Sequence, residues 1–283
     1  TGSNGLLGST LVPYLQNCGH NVVTHARRLD GDLVSDLSDA DEAMRCLDIA
    51  DPDEIINLAS LTNVDQCEED SHAAYLANVK VVENLARWVY KKGPSCHLVQ
   101  ISTDHIYDGP GLHTEDDITL TNYYGFSKYA GELAASRVSS TILRTNFFGP
   151  SECQTRDSLS DWLIQSLRQN NPITIFEDVN FSPLSLSTLV KMIDVAIMKR
   201  KPGIYNLGAN GCMSKAEFAL KLAKVMEQPT DCMTVGRAGS ALSGARRPKD
   251  MTMNSSKFET TFGVRLPTLQ QEIETMSTAY VGR

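Results

Sequence analysis

Two side chains one helical turn apart, Tyr124 and Lys128, carry the strongest chemical signal in this 283-residue sequence. They sit in the run Tyr124-Gly125-Phe126-Ser127-Lys128, and on a helix residues i and i+4 share a face. A free tyrosine titrates near about 10, so it exchanges protons poorly at neutral pH without help. An ammonium one turn away favours the phenolate and is expected to lower that pKa. The same ammonium can hold the ribose hydroxyls of a cofactor. A Tyr-x-x-x-Lys spacing alone is common on helix surfaces. Here it lies downstream of a glycine loop and after an apolar strand ending in Ser102-Thr103. That strand end places the Thr103 hydroxyl at the carboxyl edge of a sheet, where open α/β sheets bind their ligands.

The glycine loop is Thr1-Gly2-Ser3-Asn4-Gly5-Leu6-Leu7-Gly8. Glycines three apart permit a tight turn and close approach of a pyrophosphate, and the helix that follows offers free N–H groups and a positive dipole end. Gly2, Asn4, Gly5, Leu6, Leu7 and Gly8 are the expected phosphate cradle. A dinucleotide site selective for NAD carries an acid about 20 residues further on. The corresponding stretch reads Val23-Thr24-His25-Ala26-Arg27-Arg28. Two guanidinium groups suit a 2′-phosphate, so Arg27 and Arg28 point to NADPH. Asp30 or Asp32 leaves NADH open. Leu58, Ala59, Ser60 and Thr62, at the end of the next strand, should line the same cofactor.

The elements that must position these groups read as an α/β chain. Residues 5–18 are an amphipathic helix, His20–His25 a short strand, 39–47 a helix and Glu54–Ala59 a buried strand. A long helix is expected over 71–92, then a strand at His97–Ser102, a functional loop at 103–120, helix 122–136 and strand Thr141–Asn146. This alternation implies a Rossmann-type, doubly wound parallel sheet covered on both faces. The second half reads as helices near 157–170, 185–199, 214–227 and 267–281, with strands near 173–176 and 203–207. Residues 230–253 read as irregular. The expected division is a dinucleotide-binding domain at 1–148, to which 184–210 returns, and a smaller α/β substrate lobe from 149–183 and 211–283. In a Rossmann unit a buried strand leads into the glycine loop; here the loop opens the sequence, and residues upstream of Thr1 are expected.

Composition excludes some functions. A net charge of −8 argues against general nucleic-acid binding. Seven scattered cysteines, none in a C-x-x-C pair, fit reduced thiols and a cytoplasmic setting. No apolar run approaches the roughly 18 residues of a membrane span. The six histidines lack metal-ligand spacing, so no metal is expected. Trp88 and Trp162 read as packing residues.

Taken together, these motifs resemble the extended short-chain dehydrogenase/reductases and, within them, the dTDP-4-dehydrorhamnose reductase family. The resemblance rests on residues 1–8, on Asn57–Asp65, Ser102–Gly109 and Asn122–Glu132, and on Arg144-Thr145 and Arg247-Pro248. It implies NADPH-dependent reduction of a nucleotide-linked 4-keto-6-deoxy sugar. Tyr124 would be the proton donor, Lys128 the group that tunes it, and Thr103 a hydrogen-bond donor to the substrate oxygen. Asn78 would support the lysine, and Asp36-Leu37 would lie beside the adenine. His105, Asn146, Phe147 and Arg247 would join Thr103 and Tyr124 in contacting substrate. Related dehydratases carry Asp-Glu after the threonine, whereas this chain has Asp104-His105, so dehydration is not expected. Two alternatives remain: a sugar-nucleotide epimerase, and a non-catalytic NADP-binding regulatory subunit similar to the methionine adenosyltransferase beta subunit. Such enzymes are often homodimers.

Overall fold

Two strands buried along their whole length, at 97–103 and 140–145, form the centre of the computed structural model, which describes residues 1–28, 30–239 and 244–280. Apart from short 3-10 turns, the first half runs α1 (Gly8–Asn17), β1 (His25–Ala26), β2 (Leu33–Val34), α2 (Ala40–Ala50), β3 (Glu54–Asn57), α3 (Val64–Glu69), α4 (Ser71–Tyr75), a π-helical turn (Leu76–Lys80), α5 (Val81–Lys92), β4 (His97–Thr103), α6 (Tyr123–Ala135), β5 (Ser140–Thr145) and β6 (Phe147–Phe148). The second half runs α7 (Leu159–Arg168), β7 (Ile173–Phe176), β8 (Asn180–Phe181), β9 (Leu184–Ser185), α8 (Leu186–Lys199), β10 (Gly203–Leu207), β11 (Met213–Ser214), α9 (Lys215–Val225), β12 (Met233–Gly236), β13 (Asp250–Met251), α10 (Ser256–Phe262) and α11 (Leu269–Ser277).

The main sheet is parallel, in the order β10-β5-β4-β3. All seven residues of β4 are buried, as expected of a strand covered on both faces. Successive side chains alternate between the two layers. Val99 and Ile101 pack with Leu11 of α1 and Leu189 of α8, while Leu98 packs with Leu47 of α2 and Leu85 of α5. The doubly wound architecture expected from the alternating elements is therefore present. Beside β3, the Thr1 nitrogen donates to the Ile56 carbonyl at 2.8 Å, and Ser3 N donates to the His25 carbonyl at 3.2 Å. Residues 1–3 thus bridge β3 and β1.

Several expectations need correction. The second strand is not His20–His25 but the two residues His25–Ala26; Val23 is 45% exposed, so the apolar pair that suggested the strand does not reach the core. The first helix begins at Gly8 rather than residue 5, because residues 2–5 form the turn that the glycines require. The long helix is interrupted at Leu76–Lys80 by the π turn. Residues 230–253 include β12, which pairs in parallel with β7, and β13, which pairs with β8. Trp88 is buried and donates to Asp48 at 2.8 Å, whereas Trp162 is 46% exposed rather than packed. The last helix ends at Ser277, and residue 281 lies outside the described residues. Among the described residues no helix is long and apolar enough to cross a membrane, and no cluster of His, Cys, Asp or Glu has the form of a metal site.

Candidate active site

A cleft of about 1150 Å³ opens along the carboxyl ends of the strands. Gly2, Asn4 and Gly5 form one wall, Arg27, Arg28, Asp36 and Leu37 one end, and Leu58, Ala59 and Ser60 the floor. The loop has no room for side chains. A Cβ on Gly8 would lie 2.4 Å from the Gly2 carbonyl oxygen, and one on Gly2, at φ +67°, would lie 2.9 Å from Ala59 N. Helix α1 starts without a side-chain cap and with no acid in its first turn. Ser9 N and Thr10 N donate to the Gly5 and Leu7 carbonyls, and no side chain competes with an anion at the helix start. An uncapped, acid-free helix start beside a glycine cradle fits the phosphates of a dinucleotide. Leu6 and Leu7 pack into the core instead of lining the cleft. At the far end, Asp36 Oδ1 accepts from Ser38, and Asn84 of α5 donates to the carbonyls of Leu37 and Ser38 at 2.9 and 3.1 Å.

The candidate catalytic groups meet where β4 ends and α6 begins. Asn122 caps α6, which sets Tyr124 and Lys128 on its inner face. Two glycines let this helix come close to its neighbours. A Cβ on Gly125 would lie 2.5 Å from the His105 carbonyl oxygen, and one on Gly131 would lie 2.3 Å from the Asn78 carbonyl oxygen in the π turn. Tyr124 is packed against Cys67 and Ala74. Burial pushes its pKa up to about 12, with the Thr103 hydroxyl pulling the other way. The lowering by Lys128 that the spacing leads one to expect does not appear: the ammonium is not among the groups that shift Tyr124, and loss of water raises its pKa. Lys128 donates to the Ile101 carbonyl at 2.8 Å and to Ser60 Oγ at 3.4 Å, and burial lowers it to about 8.

Asn78 works at one remove from the lysine. It accepts from Ser60 Oγ (2.9 Å) and Leu61 N (2.8 Å) and donates to the Leu61 carbonyl and Ser127 Oγ. It thereby fixes both neighbours of Lys128. It is buried and does not line the cleft. Thr62 also stands off the cleft wall, its hydroxyl accepting from Arg156 at 2.7 Å.

On the far side of Tyr124, His105 sets its ring edge-on at 5.3 Å between centroids. Burial lowers its pKa to about 3, so the imidazole is neutral. Asn146 donates to Asp104 Oδ2 at 2.6 Å. Phe147 lies in β6, packed against the main core. Arg247 is bound to Asp65 through two 2.6 Å contacts, and Ala245 N donates to the same carboxylate at 2.9 Å. This straps residues 245–247 to α3 beside the site. Sequence reasoning missed Arg156, and quoted Asp65 and Asp104 within motifs without giving either a role. Asp65 and Asp104 each sat inside a quoted motif; Arg156, from a loop far along the chain, carried no readable signal.

Comparison with known proteins agrees with this geometry. The family model described as "RmlD substrate binding domain" matches residues 1–281. A probable low-salt glycan biosynthesis reductase of Haloferax volcanii is 26% identical over 99% of this chain and 97% of its own length. A dTDP-4-dehydrorhamnose reductase of Sinorhizobium fredii is 30% identical over 78% of each chain. Among solved structures, dTDP-4-dehydrorhamnose reductase from Bacillus anthracis, in complex with NADP, superposes with a TM-score of 0.87 at 23% identity, covering 98% of this chain and 97% of the other. The chain belongs to the RmlD substrate-binding-domain family of extended short-chain dehydrogenase/reductases.

Proposed function

We propose that the protein is an NADPH-dependent reductase of a nucleotide-linked 4-keto-6-deoxy sugar, with Tyr124 as proton donor. The observation that carries this reading is the pairing of Thr103 with Tyr124 next to Lys128, whose ammonium reaches Ser60 Oγ on the cleft floor at 3.4 Å, with a tyrosine that keeps its proton at neutral pH. When bound, reduced nicotinamide supplies hydride to the keto carbon. Thr103 donates a hydrogen bond to the keto oxygen, and Tyr124 hands its phenolic proton to that oxygen as negative charge develops there. The Lys128 ammonium stabilises the phenolate left behind and holds the ribose hydroxyls. Gly2–Gly8 and the start of α1 hold the pyrophosphate, with Arg27 and Arg28 at the 2′-phosphate. The products are the alcohol and oxidised cofactor, with one hydride and one proton added.

A protonated tyrosine suits reduction, because an alkoxide is a stronger base than a phenolate. With His105 where dehydratases carry glutamate, elimination lacks its carboxylate base. The test is NADPH oxidation with a panel of nucleotide-linked 4-keto sugars. Oxidised cofactor should appear in a one-to-one ratio with product. Epimerisation without net oxidation would contradict the reading, as would NADPH binding with no turnover on any panel member. For the cofactor, Arg27→Ala with Arg28→Ala should weaken NADPH about 10-fold or more while NADH changes little, since charge-assisted hydrogen bonds are being removed. Equal losses for both would contradict the 2′-phosphate assignment.

A further inference from the structure

We propose that Ser60 is a positioning residue for Lys128: its hydroxyl, aimed by Asn78, serves the lysine only as an acceptor and so holds it as an ammonium at the cleft floor. Its part in the reaction rests on the reductase reading above. Ser60 lies just past β3 and lines the cleft. Lys128, buried on α6, has two acceptors among the described residues, the Ile101 carbonyl at 2.8 Å and Ser60 Oγ at 3.4 Å. The carbonyl belongs to the β4 backbone and is set by the fold. Ser60 is the acceptor that a side chain supplies.

The direction of that contact follows from the bonds around Asn78. Its Oδ1 accepts from Leu61 N at 2.8 Å, and its Nδ2 donates to the Leu61 carbonyl at 3.0 Å. Backbone groups cannot exchange these roles, so the amide has one orientation. Oδ1 carries no hydrogen, and the Ser60 hydroxyl must donate to it, at 2.9 Å. A serine has a single hydrogen to give. With that hydrogen committed to Asn78, only lone pairs remain to face Lys128. The same amide settles Ser127, whose hydroxyl accepts from Asn78 Nδ2 at 2.9 Å and donates to the Tyr124 carbonyl at 2.9 Å. An acceptor held in this way favours the charged lysine over the neutral amine, and so opposes the burial that lowers Lys128 to about 8. The titratable groups that act on the lysine are Glu132 of its own helix and Cys67 of α3. Glu132 is held by Arg144 and Ser102, and burial pushes the Cys67 thiol up to about 11. Tyr124, one turn before the lysine, keeps its proton. None of the three is hydrogen-bonded to Ser60 among the described residues, so a change there reports on the hydroxyl.

The experiment titrates the Lys128 side chain by NMR in lysine-labelled protein, its signal assigned by its loss in Lys128→Met. Ser60→Ala should lower the midpoint by about 0.5–1 pH unit, since a hydrogen bond to the charged form is removed. Ser60→Thr, which keeps the hydroxyl, should titrate close to wild type. The same samples are assayed for NADPH oxidation with nucleotide-linked 4-keto sugars, with the thermal midpoint as the control for folding. In Ser60→Ala the fall of kcat at high pH should move toward acid by the same amount, with the sugar KM little changed. If Ser60→Ala does not fold, Ser60→Cys, whose sulfur is a weak acceptor, takes its place. A lysine midpoint that is unchanged or raised overturns the proposal. So does a loss of NADPH affinity with no shift in that midpoint, which would make Ser60 a cofactor contact and nothing more. If the midpoint falls yet wild type reduces no sugar, Ser60 still sets the lysine charge and it is the reductase reading that fails.

Discussion

Two arginine–carboxylate pairs hold the site together, and they differ in almost every physical respect. Arg144 of β5 and Glu132 of α6 meet at 2.7 Å with their side chains 1% and 0% exposed. Arg247 and Asp65 meet at 2.6 Å with 43% and 45% exposed. The first pair is fully satisfied: Ser102 of β4 donates to Glu132, while Arg144 also donates to Tyr107 and to the Glu115 carbonyl. It ties α6, which carries Tyr124 and Lys128, to two central strands. The second joins residues 245–247 to α3 at the surface. A desolvated pair is dear to break because it leaves a buried charge alone, whereas an exposed pair exchanges its partner for water. The scaffold under Tyr124 is therefore held rigidly, whereas the strap that joins residues 245–247 to α3 is held only by an exposed pair.

Breaking the pairs one at a time tests this contrast. Arg144→Met strands Glu132 in the core and should cost about 3–5 kcal/mol in chemical denaturation; a loss within experimental error would mean that the sheet–helix junction does not depend on the pair. An intermediate effect should come from titration. Lys128, lowered to about 8 by burial against the opposing influence of Glu132 and Cys67, is charged below that pH and neutral above it. The kcat/KM for reduction should thus fall as pH rises through about 8, since the forming phenolate then loses its cation. A profile flat to pH 10 would remove the lysine from the proton transfer. Asp65→Ala should have the smallest effect on the fold, leaving the thermal midpoint close to wild type, and should act on the sugar KM. A melting loss as large as that of Arg144→Met would erase the distinction.

Legibility followed the same divide. The glycine loop, the strand ending at Thr103 and the Tyr124–Lys128 spacing are local patterns, and local patterns survive reading one residue after another. The π turn was hidden because residues 71–92 keep helical periodicity throughout; its place is set by Gly131 of α6, pressed against the Asn78 carbonyl. The strand β12, Met-Thr-Val-Gly, is half exposed, so it lacks an apolar signature and exists by pairing with β7. Helix α10 did leave a trace, in Phe258 and Phe262 one turn apart on a buried face. Arg247 was readable as a site residue through its motif, but its partner Asp65 lies 182 positions away. The direction of the Tyr124 pKa was misjudged because spacing reports the nearby ammonium and not the desolvation.

The central claim is that Tyr124 gives its proton to a ketone held in the dinucleotide cleft. Its most direct test is NADPH oxidation by Tyr124→Phe at saturating nucleotide-linked 4-keto sugar, with NADPH affinity measured on the same sample. The account predicts a fall in kcat of about 10²–10⁴-fold, the usual contribution of a positioned general acid, with cofactor affinity retained. Turnover at the wild-type rate would contradict it.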